Sequence, residues 1–134
     1  MDDATLLTEF EACTLPLAQW THRAHLRVAY LYLRNHRLEE AMERMREGIQ
    51  RFNAANHIPE AVDRGYHETV TQAWLRLIAA EMAPGNAALD AEGFLDAYPH
   101  LGVKRVLLQH YSRERIMSWE AKREFVEPDL APLP

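Results

Sequence analysis

The chain has 134 residues, 48% of them hydrophobic and 26% charged, a balance that suits one globular domain with its own core and excludes a disordered chain. A net charge of −5 argues against a dedicated nucleic-acid binder, and the lone Cys13 excludes an intrachain disulfide and any CxxC metal or redox motif. Apolar stretches are broken by Arg or Glu well before the ~18 residues that a membrane span needs. Residues 1–20 carry Asp2, Asp3, Glu9 and Glu11, not the cationic start and apolar run of a signal peptide, so a cytoplasmic location with no membrane partner is expected.

Strand-length alternation of apolar and polar residues is missing, as are Asn-Gly hairpin turns. The chain therefore reads as all-α. The expectation is a single-domain helical bundle of about five to seven helices over residues 1–126, with an extended Pro-rich tail over 127–134. A first helix is predicted over about 3–13, with Leu6, Leu7, Phe10 and Cys13 on one side. After Thr14-Leu15-Pro16, a second runs from 17–21 to 35, where Thr21 can cap a start at His22. Its inward stripe reads His22, His25, Leu26, Ala29 and Leu33, while Arg23, Arg27 and Arg34 suggest a charged outer side. The third spans 37–55 with Ala41, Met45, Gly48, Ile49 and Phe52 inward. Gly48 costs about 1 kcal/mol relative to Ala inside such a helix, and either close helix contact or room for a ligand would explain it.

A loop over 56–65 leads to a fourth helix, predicted from 64–66 to 83, with His67, Val70, Thr71, Trp74 and Ile78 on its stripe. Ala83-Pro84-Gly85-Asn86 ends it. Shorter helices are expected over 90–97 and 102–111. Ser112 or Ser118 would cap a last one through about 125. The tail has spaced apolar residues but no helical period, so it is expected to lie across the body or a neighbouring subunit, with a homodimer one outcome.

Among the seven histidines, His22 and His25 stand three residues apart and share one helical face, and His67 is predicted to point inward from the fourth helix. Packing these helices together would gather three imidazoles, the commonest nitrogen ligands for zinc, iron, copper and nickel. His67-Glu68-Thr69-Val70-Thr71 begins like the zincin motif HExxH, but Thr71 stands where the second histidine would be. Three ligands plus an open position would make a catalytic site. The expectation is one divalent transition metal on His22, His25 and His67, with zinc the default and iron, nickel or copper the alternatives. Glu68 would be the base acting on bound water or a fourth ligand. Trp20, Tyr66, Thr71, Trp74 and His110 are candidate pocket residues, although core packing is the default reading for the aromatics and a hydroxyl bonded back to its own helix the default for Thr71.

The strings WTHRAHL (20–26), GIQRFN (48–53), GYHETVT (65–71) and VEPDLAPL (126–133) resemble a family of small uncharacterised bacterial helical proteins in which WTHxxHL and GYHETxT recur. The resemblance implies that His22, His25, His67 and Glu68 form one unit and implies nothing about a substrate.

Three functional readings are compatible with these residues. One is a small metalloenzyme, a hydrolase or lyase, activating water or a substrate oxygen on a small molecule. The second is a metal- or small-ligand-binding protein without catalysis. The third is a helical interaction module whose histidines are structural.

Overall fold

A computed structural model describes residues 1–86 and 88–134. The described residues form no strand, and the all-α reading holds. Seven α-helices occur among them: α1 (Asp3–Glu11), α2 (His22–Asn35), α3 (Leu38–Ala55), α4 (Glu68–Glu81), α5 (Ala91–Ala97), α6 (Arg113–Ile116) and α7 (Trp119–Arg123). Short 3-10 turns cover Pro99–Gly102 and Lys104–Gln109, the second lying where a regular helix over 102–111 is predicted from the sequence. No helix among the described residues is long and apolar enough to cross a membrane.

Local chemistry sets the helix starts. Asp2, Thr21, Asp90, Ser112 and Ser118 each accept a hydrogen bond from a backbone N–H two or three positions into the helix that follows. Both serines are therefore caps, and the single last helix predicted from the sequence is two short ones.

α2 lies at the centre, packed on α1, α3, α4 and α5. Its residues Leu26, Val28, Ala29 and Tyr30 are buried, as are Phe10 of α1, Phe52 of α3 and Ile78 of α4. The three arginines of α2 are not a free outer face. Arg23 pairs with Glu92 and Asp96 of α5, and Arg27 pairs with Asp3 of α1. Arg34 donates to the Leu89 carbonyl. These contacts fix α1 and α5 against the central helix.

Gly48 answers to close helix contact. A Cβ there would stand 2.7 Å from Cε2 of Phe10, so the missing side chain is what lets α1 approach α3. Gly65 has φ +87°, a left-handed conformation that favours glycine, just before α4.

The tail folds back on its own chain. Asp129 accepts from the Ser112 N–H at 2.8 Å, Arg115 donates to the Glu127 carbonyl at 2.6 Å, and the Leu130 N–H donates to the His110 carbonyl at 2.9 Å.

Candidate functional site

A cleft of about 780 Å³ opens between α2, α3, α4 and the 104–117 segment. Its walls are mainly apolar. Leu26 and Ala29 come from α2, Met45 and Ile49 from α3, and Val70, Trp74 and Leu75 from α4. Trp20, just before α2, completes this lining. A volume of this size falls in the ordinary range for small-molecule sites.

His22 and His25 both line the cleft, as their spacing on α2 leads one to expect. Nδ1 of His25 lies 2.6 Å from the Thr21 carbonyl, and Nε2 of His22 lies 3.2 Å from the Leu101 carbonyl. A carbonyl only accepts, so in each ring that nitrogen carries the proton and donates. Nε2 of His25 and Nδ1 of His22 are left with lone pairs that have no partner among the described residues. Burial pushes His25 down to about 4, and the nearby His22 and Lys104 add to this against the pull of the Thr21 carbonyl. Burial also lowers His22, with Lys104 acting in the same sense. Both rings are neutral acceptors near neutral pH.

His67 departs from the expected position. It is the N-cap of α4, with an extended backbone (φ −128°, ψ 110°), not a member of the helical stripe. Its Nδ1 accepts from the Val70 N–H at 3.1 Å, and its Nε2 donates to the Ile116 carbonyl at 2.7 Å. Both nitrogens are spent on structure, and His67 does not line the cleft. The predicted set of His22, His25 and His67 does not converge. Among the described residues no group of three or more His, Cys, Asp or Glu side chains could hold a metal ion. The physical reason is the helix start: beginning α4 at Glu68 removes His67 from the face that turns toward α2.

Glu68 is also placed elsewhere. Its carboxylate is buried and accepts four hydrogen bonds. Arg46 donates to both oxygens at 2.8 Å, Tyr66 OH to Oε1 at 2.9 Å and Gln72 to Oε2 at 2.7 Å. Burial alone would raise its pKa. The hydrogen bonds from Arg46, Gln72 and Tyr66 outweigh that and hold it below the usual carboxylate range. Four donors fill the carboxylate's acceptor capacity, so Glu68 joins α3 to α4 and is no base for the cleft.

The remaining candidates divide. Trp20, Thr71 and Trp74 line the cleft. The Thr71 hydroxyl donates back to the His67 carbonyl at 2.7 Å, the bond to its own helix that its sequence position allows. Tyr66 serves Glu68 instead, and burial raises its pKa. His110 lies away from the cleft and donates from Nδ1 to the tail carbonyl of Pro132 at 3.0 Å.

Sequence reasoning misses the mouth of the cleft. Lys104, Arg105 and Arg113 line it together with Asp63, and all four are exposed. Lys104, Arg105 and Arg113 lie far from the histidine strings in sequence, and no local pattern marks them. No family model, curated protein or solved structure matches this chain.

Proposed function

We propose that the protein is a small-ligand-binding helical protein and that its ligand occupies the cleft beside His22 and His25. The observation that carries this reading is the pairing of an apolar cleft of about 780 Å³ with two neutral imidazoles, each keeping one lone pair without a partner among the described residues. Apolar walls with a few fixed polar atoms are what small-molecule sites use: burial of the ligand body supplies affinity, and the polar atoms set orientation. The imidazole lone pairs ask for an O–H or N–H donor on the ligand. Binding without a metal centre is favoured over a three-histidine metalloenzyme because the His67 nitrogens and the Glu68 oxygens are committed to the fold.

The test uses 2-naphthol, an apolar ring system with one O–H donor. Calorimetry is expected to show one molecule bound per chain, with shifts of the His22 and His25 ring protons by NMR. His25→Leu should weaken binding about tenfold, the loss of one hydrogen bond to a buried acceptor. Saturating 2-naphthol that leaves both rings unshifted would overturn the reading.

A further inference from the structure

We infer that the ligand of this cleft is an organic acid, with its carboxylate held at the mouth by Lys104, Arg105 and Arg113 and its apolar body inside against Trp74 and the aliphatic walls. This rests on the cleft being a ligand site, and it names the chemical class that the site takes.

Unmatched positive charge at the rim points to the acid. The chain holds 15 Lys and Arg against 20 Asp and Glu, so cations are the scarcer kind. Many of them are tied down. Arg23, Arg27, Arg44, Arg46 and Lys122 sit in ion pairs with carboxylates. Arg34 and Arg115 donate to backbone carbonyls, and Arg76 lies over the Phe125 ring. Lys104, Arg105 and Arg113 make no ion pair and no side-chain hydrogen bond among the described residues, although the protein as a whole is acidic. These three converge on the rim of one apolar cleft, where Asp63 is the single opposing carboxylate in the lining among the described residues.

A cationic rim on a low-dielectric wall attracts an anion and orients it with its charge outward. Guanidinium and ammonium groups also match a carboxylate through charge-assisted hydrogen bonds. Lys104 shares the cleft lining with His22 and His25 and disfavours their protonation, so the positive rim and the two neutral acceptors belong to one cavity. The Trp74 indole, with Leu26 and Ile49 beside it in the lining, suits a flat apolar body. One molecule with a carboxylate on an apolar skeleton satisfies the rim and the walls together.

The experiment compares 2-naphthol with 6-hydroxy-2-naphthoate (the naphthoate) by calorimetry on the full chain at neutral pH and low salt. The two probes have the same ring system and the same O–H donor but different charge, the carboxylate of the naphthoate standing at the opposite end from the hydroxyl. Naphthoate is expected to bind about tenfold more tightly, the sum of three exposed charge contacts. The advantage should shrink as salt is raised. Lys104→Gln, Arg105→Gln and Arg113→Gln combined should bring naphthoate down to the naphthol affinity. All three side chains are exposed, so the variant is expected to fold, and its thermal melt checks this. Naphthol binding as well as naphthoate, or naphthoate affinity that survives the triple substitution, would overturn the acid class while leaving the cleft as a ligand site. If neither probe shifts the His22 and His25 rings, the cleft reading itself fails and takes this inference with it.

Discussion

The imidazole of His25 stacks on the indole of Trp20 with ring centroids 3.8 Å apart and planes inclined by 28°. Phe10 stacks on the same indole at 4.4 Å, and the Phe10 ring fills the space left by Gly48. A continuous column of rings thus runs from the α1–α3 contact to the wall of the cleft. The orientation of His25 depends on it as well as on the Thr21 carbonyl.

This environment makes His25 an acid-sensitive element of the fold. Its folded value of about 4 lies below the ordinary value of 6.5, so the unfolded chain takes up the proton first. The stabilising contribution is complete above about pH 6.5 and is lost as pH falls toward 4. His22 and His67 are displaced in the same direction, also chiefly by burial. Thermal melts are expected to move to lower temperature across that window, each tenfold difference in proton affinity between the folded and unfolded chain being worth about 1.4 kcal/mol at most. NMR titration of the His25 ring should show it neutral until the lower end of the window. A midpoint near 6.5 would contradict the placement.

Gly48→Ala is expected to destabilise the protein despite the better helix propensity of alanine. The new Cβ would meet Phe10 at 2.7 and 2.8 Å, and Phe10 is held by Trp20 and Phe52. Overpacking of this kind costs about 1–3 kcal/mol, against a propensity gain of about 1 kcal/mol. Denaturant unfolding decides it: a more stable variant would mean that the ring column yields.

Glu68→Gln separates a structural carboxylate from a catalytic or ligand-binding one. The buried carboxylate of Glu68 pairs with a partly exposed Arg46, so the loss is expected to be about 1–3 kcal/mol, less than for a fully buried pair. Affinity for 2-naphthol should not change. A large loss of binding with stability intact would return Glu68 to the site.

His67→Ala removes the N-cap of α4 and the tie to Ile116, with an expected cost of about 1–2 kcal/mol. His67→Asn should recover part of it, because asparagine is a good cap. Zinc titration by calorimetry is expected to give the same result for the native chain and His67→Ala. Zinc uptake that disappears with His67 would restore the three-histidine site.

Truncation after Val126 removes the carbonyl of Glu127, the carboxylate of Asp129 and the N–H of Leu130, all bonded to the 110–115 segment. Stability is expected to fall by about 1–3 kcal/mol, since each such bond contributes about 1 kcal/mol net. An unchanged melt would show that these bonds contribute nothing.

Much of the fold is written locally. The periodicity of Ala41, Met45, Ile49 and Phe52 specifies α3, and Thr21 specifies the start of α2, because caps and stripes depend on residues within a turn or two of each other. The placement of His22 and His25 on one cleft-facing side follows from helical geometry alone. His67 is different. Its neighbours permit a helix through it; Nδ1 caps the helix through the Val70 N–H, and the Ile116 carbonyl, supplied from 49 residues away, ties down the other side of the ring. Glu68 likewise reads as a base beside a ligand until Arg46 arrives from α3 and fills its oxygens. Lys104, Arg105 and Arg113 carry no signal in their own segment, because an exposed cation acquires meaning only from the wall it stands beside. Short-range chemistry along the chain therefore settles the helices and their apolar faces. The cleft, its charged mouth and the separation of His67 from His22 and His25 depend instead on which distant donors and acceptors the packed helices bring within hydrogen-bond reach.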